Sequence, residues 1–162
     1  MSTNPYAPPK ANVEDVTQRE ESSAIWNPGA AAGWSLLLSP IFGSILHMKN
    51  WQALGEPEKA AKSKQWALGS TGFFVLLVLL GALLPDSKAL EAGSRGASIG
   101  LLIAWYSLSG KPQVSYVKSR FGKAYIRKSW ALPLLYAVLC FAAFVAVFVV
   151  AALVLDALQG EG

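Results

Sequence analysis

The residues of this sequence best suited to chemistry are the basic and aromatic side chains that alternate between positions 113 and 128. Val114, Val117 and Phe121 recur at three- and four-residue spacing, which predicts an amphipathic helix with one apolar stripe. Such a helix lies on the inner leaflet of a membrane, where cationic side chains attract anionic lipid headgroups. Alternatively, it docks a cytoplasmic protein partner. The predicted binding residues are Lys118, Arg120, Phe121, Lys123, Tyr125 and Arg127.

The groupings that catalysis requires are missing from the sequence. It contains no Ser-His-Asp set, no paired carboxylates and no glycine-rich phosphate loop. A metal site draws on several His, Cys, Asp or Glu ligands, and the single His47 lies apart from any such cluster. We therefore expect no enzyme, no cofactor and no metal. His47 is expected to be an interfacial polar residue, and the single Cys140 is expected to pack as a small apolar side chain.

Four apolar segments predict a membrane protein. The last of them contains no charged residue over 131–155, and about 20 apolar residues suffice to cross a bilayer core. Residues 1–28 are Pro-rich and net acidic, which predicts a flexible tail ahead of a transmembrane domain over 29–162. The expected fold class is therefore an all-α membrane protein, a four-helix transmembrane bundle. Its predicted spans are about 30–48, 66–84, 94–109 and 131–155.

Basic residues are concentrated in two connections between these segments, 49–65 and 110–130. The positive-inside rule places both connections in the cytoplasm, which requires the short third segment to cross the membrane. Helical residues just before position 96 would lengthen that segment. The rule allows two arrangements for the segment 30–48. The segment either spans the membrane or forms a re-entrant hairpin bent near Pro40.

A recurrence in the sequence favours the spanning arrangement. Lys64-Gln-Trp-Ala-Leu68 recurs, at a distance of 64 residues, as Lys128-Ser-Trp-Ala-Leu132. A true duplication would make two parallel helix-hairpin repeats, although chance also produces so few identities. On this basis we expect four spans with both termini outside.

Two pairs of glycines have the small-xxx-small spacing that lets membrane helices approach closely. They are Gly29 with Gly33 and Gly96 with Gly100. We expect them to pack helices within the bundle, with self-association as the alternative.

The opening segment Asn4-Pro-Tyr-Ala-Pro-Pro-Lys-Ala11 resembles the tail found on many small multi-pass inner-membrane proteins of proteobacteria. The segment Ser39-Pro-Ile-Phe-Gly43 is also similar to sequences in that group. The resemblance implies a bacterial protein of the inner membrane. It implies no catalytic or binding residue.

These observations favour a non-catalytic protein that binds a protein partner. The most specific form is an immunity protein against a membrane-active toxin, because such a guard lies in the bilayer and needs complementary helix surfaces. One alternative is a small transporter or channel component. The recurrence and the break at Pro40 favour it, whereas the lack of charges inside the spans argues against it. Another is a lipid-sensing protein. The expected partners are the membrane, anionic lipid headgroups and a toxin or membrane complex. Nucleic acid is not expected, because the basic residues lie beside apolar runs.

Overall fold

The computed structural model describes residues 24–85 and 87–160, and the side chains of its last helix as far as residue 151 together with Leu153. Residues 1–23 of the predicted tail lie outside the described residues. The described chain is helical apart from short connections, so the predicted all-α class is confirmed. The elements are α1 (Pro28–Leu38), α2 (Pro40–Ala53), α3 (Pro57–Leu83), α4 (Lys88–Trp105), a π-helical turn (Tyr106–Gly110), α5 (Lys111–Phe121) and α6 (Ala131–Gly160).

Helices α1 and α2 form a hairpin. Pro40, which has no backbone N–H, begins α2, and Ser39 between the helices has a φ of 121°, a value that residues other than glycine rarely adopt. The far ends of the two helices meet, because Asn50 Nδ2 donates a 2.8 Å hydrogen bond to Trp26 O. The chain therefore bends back at Ser39, as the hairpin alternative expects, whereas the recurrence favoured a first segment that spans.

Two helices are long and apolar enough to cross a membrane, namely Pro57–Leu83 and the stretch Ala131–Ala151 of α6. They cover most of the predicted spans at 66–84 and 131–155. No other helix among the described residues combines the same length and apolar composition. The structure thus contains two candidate membrane helices, whereas the sequence predicted a four-helix transmembrane bundle.

Helix α4, the π-helical turn and α5 follow one another without a break. The predicted lengthening of the third segment is present, because α4 begins at Lys88, where Ser87 Oγ accepts a 3.2 Å hydrogen bond from Leu90 N. The C-cap of α5 is Gly122, which has a φ of 58° that favours glycine. The amphipathic helix predicted over 113–128 therefore ends at Phe121.

The segment 122–130 pairs with the end of the predicted tail. Ile25 N donates to Ile126 O at 3.0 Å, and Lys128 N donates to Ile25 O at 2.9 Å. Ile25 is fully buried. The tail prediction is therefore wrong for residues 24–28, because burial of an apolar side chain and paired backbone groups fix a segment whose average composition is polar.

These contacts bring several chain segments to one end of the molecule, which we call the base. It consists of residues 25–28, the C-terminal end of α2, the first turns of α3, α5 and the segment 122–130. The two copies of the recurrence differ here, since 64–68 lies inside α3 whereas 128–130 precedes α6. Their unequal secondary structure gives no support to two parallel repeats.

The glycines predicted to pack helices are all exposed, namely Gly29, Gly33, Gly96 and Gly100. A Cβ built on any of the last three would meet no other atom within 4 Å. Close approach occurs at Gly43 instead, where a Cβ would overlap Ser35 Oγ and the Trp105 ring. Within the described chain no neighbouring helix meets these glycines, so their role in helix packing stays a prediction.

Helix α6 contributes little to the packed interior. All its side chains at 138–151 are exposed, including Cys140, which does not pack as the sequence predicted. Apart from Pro133 at its start, the buried side chains come from the rest of the fold, with Leu46, Trp105 and Val117 among the largest apolar ones. A long apolar helix thus extends beside a small packed unit.

Candidate functional site

A buried polar network joins the helical hairpin to α5 at the base. Asn50 is its centre, since Asn50 Oδ1 accepts from Trp26 N at 2.9 Å while Asn50 Nδ2 donates to Trp26 O at 2.8 Å and to Gln113 Oε1 at 3.1 Å. Gln113 Nε2 in turn donates to His47 O at 2.9 Å. Asn50 and Gln113 are fully buried, so water does not compete for the bond between them. The network therefore fixes the relative positions of the base elements.

His47 is part of the packed interior and not the interfacial polar residue that the sequence predicted. Its side chain is fully buried, and its ring lies 5.6 Å from the Trp105 ring between centroids. His47 Nε2 lies 3.4 Å from Pro28 O, at the start of α1. His47 thus links the two arms of the hairpin and is not available to a ligand at the surface.

A cluster of aromatic and charged side chains ties α3 to α5. The Trp51 and Tyr116 rings meet edge to face at 5.0 Å, and Lys59 Nζ lies 4.4 Å from the centre of the Tyr116 ring. Tyr116 Oη donates a 2.9 Å hydrogen bond to Glu56, which also forms a 3.1 Å ion pair with Lys59. The Tyr116 hydroxyl, and then Lys59, hold the pKa of the Glu56 carboxyl below its ordinary value. Arg120 donates to Tyr116 Oη at 2.9 Å and completes the cluster.

The six predicted binding residues lie at the base on two elements. Lys118, Arg120 and Phe121 belong to α5, while Lys123, Tyr125 and Arg127 belong to the segment 122–130. The four basic side chains are exposed and the two aromatic ones are half-buried. The Arg127 guanidinium lies 5.4 Å from the centre of the Tyr125 ring. The surface that they form is basic and aromatic, and their role in binding stays a prediction.

Positive charge is concentrated at the base. Residues 49–65 and 110–130, which form most of it, contain ten Lys and Arg but only two Glu. In the N-terminal half of α4, away from the base, Arg95 forms a 2.7 Å ion pair with Glu91. Such an asymmetric distribution of charge attracts anionic groups to one end of a molecule.

A cavity of about 810 Å³ lies beside the aromatic cluster, lined by α3, the π-helical turn and α5, and we call it the lower cavity. Lys62 and Ser63 line it near the base, and Ser70 lies two turns further along α3. Both serines are buried, and Ser70 Oγ has no hydrogen-bond partner among the described residues. Trp66 and Tyr116 contribute aromatic walls.

An upper cavity of about 920 Å³ lies further along α3 and α4. Phe74, Leu77 and Val78 of α3 give it a mainly apolar lining. Ser39 at the tip of the hairpin and Phe144 of α6 also line it. The upper cavity is thus bounded by the long apolar helices.

Sequence reasoning missed Asn50 and Gln113, and it placed Ser70 only among the buried polar groups of a span, without a role. Each is a single uncharged polar residue, and the only signal was its place beside apolar neighbours, such as Asn50 before Trp51. In the part of the chain that the structure describes, no group of three His, Cys, Asp or Glu residues comes together as metal ligands would. No protein-family model matches the chain, and neither the curated proteins nor the solved structures give a match.

Proposed function

We propose that this chain is a multi-pass protein of the bacterial inner membrane that works by binding anionic lipid headgroups at the cytoplasmic leaflet. The observation that carries the proposal is the concentration of basic side chains at the base. Cytoplasmic ends of membrane proteins carry an excess of Lys and Arg, which supports placing the base in the cytoplasm. Each such residue near an anionic leaflet contributes about 1 kcal/mol to the attraction.

In this arrangement α3, α4 and α6 cross the bilayer, and the hairpin enters and leaves on the cytoplasmic side. α4 and the π-helical turn together have 23 residues, from Lys88 to Gly110, about 34 Å at 1.5 Å per residue, which suffices for a core of about 30 Å. α1 and α2 have 11 and 14 residues, about 16 and 21 Å, and neither spans that thickness. The bonds between Asn50 and Trp26 support the same assignment, because they join the entry and exit of the hairpin.

The headgroup proposal is tested with the purified full-length protein in mild detergent, by counting bound phosphatidylglycerol and phosphatidylcholine with native mass spectrometry. The triple variant Lys118→Gln, Lys123→Gln, Arg127→Gln leaves the Arg120–Tyr116 hydrogen bond intact. We expect it to lose most of the preference for phosphatidylglycerol. Lys88→Gln, at the opposite end, is the matched control and should retain it. An unchanged lipid preference in the triple variant would refute the proposal.

A second candidate is the binding of a protein inside the membrane, whose most specific form remains an immunity protein against a membrane-active toxin. The observation that favours it is the exposure of α6. Its side chains at 138–151 are all exposed, including the small Ala142 and Ala146. Small residues let a partner helix approach closely. A photo-crosslinking residue at position 146, installed in cells, should give one discrete protein adduct. Adducts to lipid alone would count against a partner.

A further inference from the structure

We propose that the crevice along α3, formed by the lower and upper cavities, is a specific site for one anionic phospholipid molecule, with the headgroup in the lower cavity and an acyl chain in the upper cavity. The inference rests on the proposed orientation, in which the base faces the cytoplasm. It differs from attraction of headgroups to the exposed basic surface, because it assigns one molecule to one built site.

The lower cavity presents groups that suit a phosphate and the glycerol ester beneath it. Lys62 lies at its base end and forms no ion pair with any described residue, whereas Lys59 is occupied by Glu56 and by two aromatic rings. Ser63, next to Lys62 along the chain, adds a buried hydroxyl at the same level. A phosphate bound here would be held by one cation and one hydroxyl, as anion sites commonly are.

Ser70 supplies the second, independent observation. It is 99% buried, and its Oγ finds no partner in the described chain although it lines the cavity. Buried hydroxyls are normally hydrogen-bonded, because an unmade bond costs free energy. Ser70 lies eight residues beyond Lys62, about 12 Å along the helix axis, so it lies deeper than the phosphate. Ser70 Oγ can donate to an oxygen of the glycerol ester.

The upper cavity lies further along the same face of α3, whose side of it is apolar, whereas Glu91, Ser94 and Arg95 line it from α4. Ser70 lines the lower cavity, whereas Phe74, Leu77 and Gly81 line the upper one, and their spacing of four, three and four residues places all four on one side of the helix. From Ser70 to Gly81 the distance along the helix axis is about 16 Å. The α3 side of the upper cavity therefore suits an apolar acyl chain, a part that a soluble anion lacks.

Lys64 provides a matched control for the test. It has the same charge and lies on the same helix as Lys62, but it is outside the lower cavity. The purified full-length protein in mild detergent is titrated with dioleoyl phosphatidylglycerol, and the single most tightly retained lipid is followed by native mass spectrometry. We expect Lys62→Gln to weaken that binding about five-fold, the effect of one cation near a lipid phosphate, and Lys64→Gln to leave it unchanged.

Ser70→Ala separates binding from folding, since it removes a hydroxyl that has no partner in the described chain. We expect about five-fold weaker retention of the lipid, as for one lost hydrogen bond, with unchanged thermal unfolding of the lipid-free protein. Retention of the lipid in Lys62→Gln, or an equal loss in Lys64→Gln, would overturn the site. Displacement by excess inorganic phosphate would also overturn it, by showing that the acyl chain contributes nothing.

The two lipid proposals fail separately. The triple variant at Lys118, Lys123 and Arg127 should retain the single tight lipid while it loses weakly bound ones. If it loses only the weak adducts, the crevice site stands. If weak adducts persist while Lys62→Gln loses the tight lipid, only the proposal for the exposed surface fails.

Discussion

Replacement of Asn50 by Ala should open the helical hairpin at the base. The substitution removes three hydrogen bonds, two to the backbone of Trp26 and one to Gln113 Oε1. Trp26 is only half-buried, so water can replace its two bonds, and we assign about 0.5 kcal/mol to each. Gln113 is fully buried, so its orphaned oxygen costs about 1–3 kcal/mol. The expected loss is therefore about 2–4 kcal/mol of the free energy of unfolding.

This loss can be measured by titrating detergent-solubilised protein with SDS while following tryptophan fluorescence. Gln52→Ala is the matched control, because Gln52 lies on the same helix with an exposed side chain. Its free energy of unfolding should change by less than about 0.5 kcal/mol, as for ordinary surface positions. If Asn50→Ala is as stable as the wild type, or if both variants lose the same amount, the network does not hold the hairpin and the reasoning is refuted.

Three further predictions follow from the fold. Gly43→Ala should destabilise the protein by about 1–3 kcal/mol, because the new Cβ overlaps neighbouring side chains. In the same SDS titration Gly33→Ala should be neutral or stabilising by up to about 1 kcal/mol, because its Cβ meets nothing within 4 Å. Glu56→Gln should be less stable than the wild type at pH 7, because the ionised carboxylate accepts from Tyr116. This difference in stability should shrink as the pH falls through the lowered pKa of Glu56, since the wild type then loses its ionised carboxylate too. A difference in stability that is independent of pH would contradict this. A reporter inserted ahead of residue 24 should be cytoplasmic, the reverse of the expectation for four spans, and alkaline phosphatase activity there would exclude the hairpin.

The long apolar helices could be predicted from sequence because their signal is local. α3 and α6 follow from uninterrupted apolar runs, and the N-terminal lengthening of α4 followed from the charge of its flanks. The hairpin of α1 and α2 could be predicted from sequence only as one of two alternatives. Pro40 marks a break in any helix, but the bend angle depends on contacts between Asn50 and Trp26, which are 24 residues apart.

The candidate sites were harder to predict for a related reason. Basic residues at 118–127 stand out by composition, and the structure places them on two consecutive elements with their side chains exposed. Ser70 and Gln113 carry no such mark, since their roles depend on which helices surround them. The glycine pairs show the opposite case, because their pattern is frequent and local but does not specify a partner, and in the described chain they lie on an open surface.

The contacts of residues 25 and 26 also set an order of assembly during synthesis. Trp26 bonds Asn50 after only 24 more residues have been made, whereas its indole N–H must await Ser129 O, a partner 103 residues away. Ile25 likewise pairs with residues 126 and 128. A nascent chain can therefore close its first hairpin early, yet the segment that precedes it is secured only when the ribosome has translated the residues leading into α6. Completion of the fold is thus coupled to delivery of the last membrane helix.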